Sequence, residues 1–314
     1  MLKLRLGLTA SLDERRTVHT IGFLDTIKHF NEAHGFPFHI IWVDDKAAAE
    51  SASSAAHLLV RQKADVVVGH FASAAAAAAL PVYAGHGLPV FLPAATHCHL
   101  TQTCSNVFRL CKTDSDLARR LVGYMQVHAY RQLDLRHDGS LHGHALSDLI
   151  LEEWGGEVGS GRDSVVVFCG SFEKSSEFLQ TLRALGDARD IWLTDDAFCP
   201  QLLDHLPPGE CRVYVVGYDT SVMNAICHAF EKSYQLRFGY KPGTYYYSTY
   251  AALEICLQLA RLPRAQWLSR LSSGIWKTHF AELGFRYGES GFGEISLWQP
   301  VCSRPPQMIG SAVA

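Results

Sequence analysis

The sequence predicts an α/β protein with mainly parallel sheets, and three observations carry that prediction. Apolar, β-branched runs alternate with helix-period segments almost throughout. Residues 64–101 spell a complete strand–helix–strand unit: Asp65-Val66-Val67-Val68-Gly69, an alanine-rich segment over 74–84, and a second apolar run over 88–92. The length of 314 residues exceeds one ordinary open sheet and suits two domains of roughly 150 residues each.

Each element has its own signal. Residues 2–8 alternate as the first strand. Ile21, Leu24, Ile27 and Phe30 share one face of a helix over 20–33, which Gly35 stops. Residues 38–42 form the second strand, and an alanine-rich helix over 47–62 leads into the strand–helix–strand unit. There Ser73 stands as N-cap, and the strand over 88–92 ends at Pro93-Ala94-Ala95-Thr96. Residues 107–110 add a short strand, and Ser115 caps a helix through Met125. A second α/β set follows: strand 132–135, helix 141–154, strand 164–169, helix 173–185, strands 191–194 and 212–216, and helix 221–238. The loop over 155–163 carries four glycines. Gly239-Tyr240-Lys241-Pro242-Gly243, rich in turn formers, reads as a crossover between domains, and 245–262 as a buried helix. No internal sequence repeat is visible.

Composition removes several function classes. Apolar content of 48% and charged content of 19% are those of a globular protein, and no segment has the apolar length of a membrane span. A net charge of −3 without a long basic run argues against nucleic acid and anionic membranes as partners. The N-terminal Met1-Leu2-Lys3-Leu4-Arg5-Leu6-Gly7-Leu8 lacks the continuous apolar core of a signal peptide. The expected compartment is the cytoplasm, or the periplasm if a leader has been removed. Nine scattered cysteines without a CxxC pair read as reduced structural thiols and fit the cytoplasm.

The informative side chains gather where strands end. Open parallel sheets bind ligands at the carboxyl ends of their strands, where free helix amides favour an anion. Ser73 and the Pro93-Ala94-Ala95-Thr96 turn therefore point to a small anionic or zwitterionic ligand, although Ser73 and Thr96 also suit plain helix caps. Asp114 is a cap candidate as well, and Asp195-Asp196 fit a solvated turn.

Other chemistry has less support. His70, His97 and His99, with Cys98 and Cys104, offer soft donors, but without a second pair at metal-site spacing. His137, His142 and His144 read as loop residues. No P-loop, GxGxxG, GxSxG or HExxH motif occurs. No cofactor and no metal site are expected.

Several segments, taken in order, resemble the type I periplasmic binding-protein family, especially leucine/isoleucine/valine-binding proteins and the cytoplasmic amide sensor of amidase operons. They are Val67-Val68-Gly69-His70-Phe71-Ala72-Ser73, Pro81-Val82-Tyr83, Gly87-Leu88-Pro89-Val90, Pro93-Ala94-Ala95-Thr96 and Val107-Phe108-Arg109. Phe238-Gly239-Tyr240-Lys241-Pro242, Tyr250-Ala251-Ala252, Gly284-Phe285-Arg286-Tyr287 and Leu297-Trp298-Gln299 extend the likeness. The resemblance implies two Rossmann-like lobes joined by three hinge crossovers: 1–113 plus 239–292, and 114–238 plus 293–314. It also implies capture of ligand in the interlobe cleft. Ser73 with Ala94, Ala95 and Thr96 would hold a carboxylate. Asp114, with Asp195 or Asp196 from the other lobe, would meet an ammonium, and Ser171 or Phe172 would form an aromatic wall.

The chain also departs from the family. Arg15 and Arg16 replace an aromatic position after strand one and would favour a ligand with an extra acidic group. Ala72 stands where the family's lobe-one disulfide places a cysteine. The segment 125–164 is short by a strand–helix step, so a trimmed second lobe is expected.

The sequence thus leads to a binder of a small amino-acid-like, amide or other carboxylate-bearing ligand, acting as sensor, carrier or transport-type receptor. A protein partner or a homodimer is left open. The alternative is an enzyme using Ser73 or Cys98 with a nearby histidine in the same cleft.

Overall fold

The computed structural model describes residues 3–207, 210, 212–219 and 225–300. The chain divides into two compact units, Met1–Lys112 with Thr220–Gly293, and Thr113–Asp219 with Glu294–Ala314, so it passes between them three times.

The first unit opens with β1 (Arg5–Ala10), a π turn (Thr17–Ile21) and α1 (Gly22–His34), which ends at Gly35 in the left-handed conformation. β2 (His39–Asp44), α2 (Ala49–Arg61), β3 (Val66–Gly69), α3 (Ser73–Ala84), β4 (Val90–Leu92) and β5 (Val107–Arg109) follow. All five strands are parallel, in the order β2-β1-β3-β4-β5. Val66, Val67, Val68, Phe91 and Leu92 are buried, which is why these runs carry no polar alternation.

The second unit contains α4 (Asp114–Val127), β6 (Gln132–His137), α5 (Leu141–Glu153), β7 (Glu157–Val158), β8 (Val165–Cys169), α6 (Phe172–Ala184), β9 (Ile191–Leu193) and β10 (Val213–Asp219). Its sheet runs β13-β10-β9-β8-β6-β7, antiparallel only where β13 (Glu294–Trp298) joins β10. Counted from its own first strand, its parallel part has the order of the first sheet. The shortened step expected over 125–164 is visible as two-residue β7, with no helix between it and β8.

The chain then returns to the first unit's α7 (Ala225–Phe238), α8 (Tyr246–Leu259) and α9 (Trp267–Ser273), and to the β11 (Ile275–Lys277) and β12 (Glu282–Gly284) hairpin. The helix expected over 221–238 was assigned to the second lobe, with a crossover at 239–243. Its described part instead belongs to the first unit. The His29 ring explains this, bonding to Ser233 Oγ at 3.0 Å and to Tyr246 OH at 2.7 Å among Phe230, Tyr234 and Phe238. An aromatic cluster of that size outweighs the turn-forming composition of 239–243. The start of the expected helix, 221–224, and the tail over 301–314 lie outside the described residues.

Gly69, at the carboxyl end of β3, has φ +131°, and a Cβ there would stand 1.8 Å from the Thr9 carbonyl oxygen. No side chain fits without moving β1 from β3. Gly69→Ala is expected to lower stability by at least about 2 kcal/mol in urea unfolding, because backbone strain and steric displacement add. A change within error would show that the strand pair yields easily.

Candidate functional site

In the first unit the turn after β4 is shaped by groups that satisfy its carbonyls. Arg109, fully buried, donates from Nη1 to the carbonyls of Ala95 at 3.1 Å and His97 at 2.8 Å. Its Nη2 reaches Cys98 O at 3.2 Å and Glu289 Oε1 at 2.8 Å, and Ser248 Oγ donates to Pro93 O at 2.8 Å. Thr101 Oγ1 also donates to Glu289. Ala94, Ala95 and Thr96 are held in this frame and are themselves buried. Sequence reasoning quoted Arg109 without giving it a task; an arginine inside the apolar run 107–110 was the available signal.

Ser73 corrects an expectation. The N-cap of α3 is Ala72, which makes no side-chain capping bond, and Ser73 is the first helical residue. Its Oγ accepts from the His97 N–H at 3.2 Å, so it ties the start of α3 to the turn after β4. Ser73 and the 94–97 turn are thus brought together. Arg15 is exposed and paired bidentately with Asp13, whose carboxyl the Arg15 hydrogen bonds hold down to about 2. Arg16 precedes the π turn with extended backbone.

His70 is a satisfied core histidine. Its Nδ1 lies 2.7 Å from Asp45 Oδ2 and its Nε2 2.9 Å from Tyr83 OH, all fully buried. Both ring nitrogens are therefore engaged away from Ser73 and Cys98. His97 and His99 sit at a short turn, where the Nδ1 of His97 accepts from the His99 amide. Among the described residues no three His, Cys, Asp or Glu side chains gather as a metal site would require.

In the second unit α4 is capped by Thr113, which forms a reciprocal box with Asp116; neither Asp114 nor Ser115 is the cap. Asp114 is instead the first helical residue and buried. Asp195 and Asp196, which in the sequence also fit a solvated turn, are buried in the turn after β9. Phe172 begins α6 and packs against the His205 ring, while Ser171 is the helix cap and accepts from the Lys174 amide.

The residue that joins these acids is His142. It lies in the first turn of α5, as His144 does further along, so neither is in a loop. His142 Nδ1 is 3.8 Å from Asp114 Oδ1 and its Nε2 is 3.6 Å from Asp195 Oδ1. Asp138 fixes the approach to α5, its two oxygens accepting from the Ser140 and Ser171 amides at 2.9 and 3.1 Å. Burial disfavours the charged imidazole, but the carboxylates of Asp114, Asp195 and Asp196 overcome it and lift His142 to about 10. Burial pushes the nearby Cys169 thiol up to about 12, which makes it inert at neutral pH.

Two outcomes follow. Arg109→Met should destabilise the protein by roughly 2 to 4 kcal/mol in denaturant unfolding, since three carbonyls and Glu289 lose their donor together. A loss below about 1 kcal/mol would mean that the turn finds other donors. For His142, a folded value raised above the ordinary 6.5 gives stability that is complete below that pH and lost as pH rises through about 10. The difference in melting temperature between the wild type and His142→Gln should therefore shrink from pH 6.5 to 10. A constant difference would show that His142 is uncharged at neutral pH.

Residues 18–150 match the model of the periplasmic binding protein family. No curated protein matches the chain. Among solved structures, the branched-chain amino acid transporter substrate binding protein LivJ from Streptococcus pneumoniae, in complex with isoleucine, is 17% identical with TM-score 0.83. That match covers 98% of this chain and 99% of the other. An ABC-transporter solute binding protein from R. palustris in complex with benzoate is 15% identical with TM-score 0.84, covering 98% and 96%. The leucine binding protein LivK from Thermotoga maritima is 16% identical with TM-score 0.81, covering 98% of each. The chain has the fold of the type I periplasmic binding proteins, the family resemblance that its strand-end motifs carry in the sequence.

Proposed function

We propose that this chain is a solute-binding protein for a small carboxylate-bearing molecule, captured in the way its family resemblance implies. The observation that carries the reading is the coupling of Ser73 at the start of α3 to the Arg109-held turn after β4. Helix amides, a hydroxyl and a rigid small-residue turn at the carboxyl ends of adjacent parallel strands suit an anion. In this reading Ser73, Ala94, Ala95 and Thr96 of the first unit take the carboxylate, and Asp114 and Asp195 are the second unit's candidate contacts. The solved relatives, one holding isoleucine and one benzoate, bracket the ligand class between amino acids and simple acids.

A transport-type receptor is the first use of such binding, outside the cytoplasm and with a protein partner that accepts the ligand. The second is a cytoplasmic sensor or carrier. The cysteines favour this second use: they are scattered without a CxxC pair, and Cys111, Cys169, Cys199, Cys227 and Cys256 are buried, as structural thiols of a reducing compartment are. No helix among the described residues is long and apolar enough to cross a membrane.

A thermal-shift panel of amino acids, short amides, aliphatic acids and aromatic acids tests the reading. A ligand at 100 times its dissociation constant stabilises by about 2.7 kcal/mol, so at least one carboxylate should raise the midpoint by several degrees. Ser73→Ala should weaken that response without a comparable loss of apo stability. A flat response over the whole panel would count decisively against binding.

A further inference from the structure

The second unit presents a cation where the sequence resemblance anticipates acids facing the ligand. Asp114 and Asp195 are there, but their side chains are only 2% and 1% exposed, whereas that of His142 is 25% exposed. The imidazole is the most exposed member of this group, so a molecule approaching it meets the ring before the buried carboxylates. Its position is fixed by the backbone: Ser140 caps α5 by accepting from the Gly143 amide at 3.0 Å. Asp138 then links the loops after β6 and β8 through the Ser140 and Ser171 amides.

The charge arrangement agrees. The first turn of a helix disfavours a cation, so His142 gains nothing from α5 itself. The groups that face it are Asp114 from α4, Asp195 and Asp196 from the turn after β9, and Asp138 from the loop before α5. Four acids around one imidazole hold it protonated at neutral pH. Asp138 is in turn kept below the usual carboxylate range, against its burial, by hydrogen bonds from Ser140 and Ser171 and by the His142 charge.

We propose that His142 determines specificity: its imidazolium stands in for a ligand ammonium beside Asp114 and Asp195, so the chain selects small carboxylic acids lacking an α-ammonium over the matching α-amino acids. The inference rests on the binding reading above and narrows its ligand class. A ligand ammonium entering here would have to approach or displace a like charge, while a neutral tail or a further acceptor on an acid would not.

Calorimetry on the full chain at pH 7, with 4-methylpentanoate against leucine and 3-phenylpropanoate against phenylalanine, decides the matter. In the wild type at least one acid of the two pairs should bind roughly ten-fold or more tighter than its amino acid. His142→Asn, which removes the charge, should close or invert that ratio. Leucine or phenylalanine binding the wild type more tightly than its partner acid would overturn the proposal. So would a folded His142→Asn protein that keeps the wild-type ratio. If the variant does not fold, the wild-type ratios decide alone. Binding of neither member of either pair, together with a flat thermal-shift panel, would defeat the binding reading itself and this inference with it.

Discussion

The buried guanidinium of Arg109 is the interaction on which the first unit's strand-end architecture depends. A turn that leaves a parallel strand inside a protein carries carbonyls that neither the sheet nor water can satisfy. Arg109 meets this requirement for Ala95, His97 and Cys98, while Glu289 balances its charge. Because a guanidinium is planar with fixed donor directions, it sets the turn's path as well as its stability. The His70 ring performs a related task one strand away, joining Asp45 after β2 to Tyr83 of α3. Both devices are buried polar groups that bond to other residues of the first unit. They hold loops to the sheet so that the edge facing a ligand need not be assembled on binding.

Most of the fold was legible in the sequence because the central strands of each sheet are buried on both faces. Such strands announce themselves as short apolar runs, and all nine strands and helices expected over residues 1–125 appear within a few positions of where they were read. What was missed needed tertiary information. Nothing local assigns the helix before Gly239 to one unit or the other; the His29 aromatic cluster does. The repeated strand order of the two sheets left no sequence repeat. The topology survives any apolar choice in the strands, whereas sequence similarity does not.

The candidate site was legible in place and not in detail. Ser73, the 94–96 turn, Asp114 and Asp195 all fall at strand ends or helix starts, as small polar residues after apolar runs suggested. Their partners were out of reach. Whether a serine caps its own helix or bonds to a neighbouring loop is decided by backbone angles at Ala72 and by where His97 lies. The cap of α4 was placed one or two residues late, at Asp114 or Ser115; Thr113 and Asp116 form the box, and Asp114 is the buried first helical residue.

His142 shows the deeper limit. Its glycine- and histidine-rich surroundings look like a solvated loop, yet its ionisation is set by acids contributed by α4, by the turn after β9 and by the loop before α5. Charge state is thus a property of the fold more than of the segment. The two units share a strand order but furnish their strand ends with different chemistry. One uses a hydroxyl, alanines and a buried arginine behind the turn; the other uses buried carboxylates screened by an imidazolium. Topology fixes where a ligand can be met, and a few side chains fix the sign of what it meets. A relative of this fold can therefore move between amino acids and simple acids without altering a strand, by changing which ion lies outermost at one sheet edge.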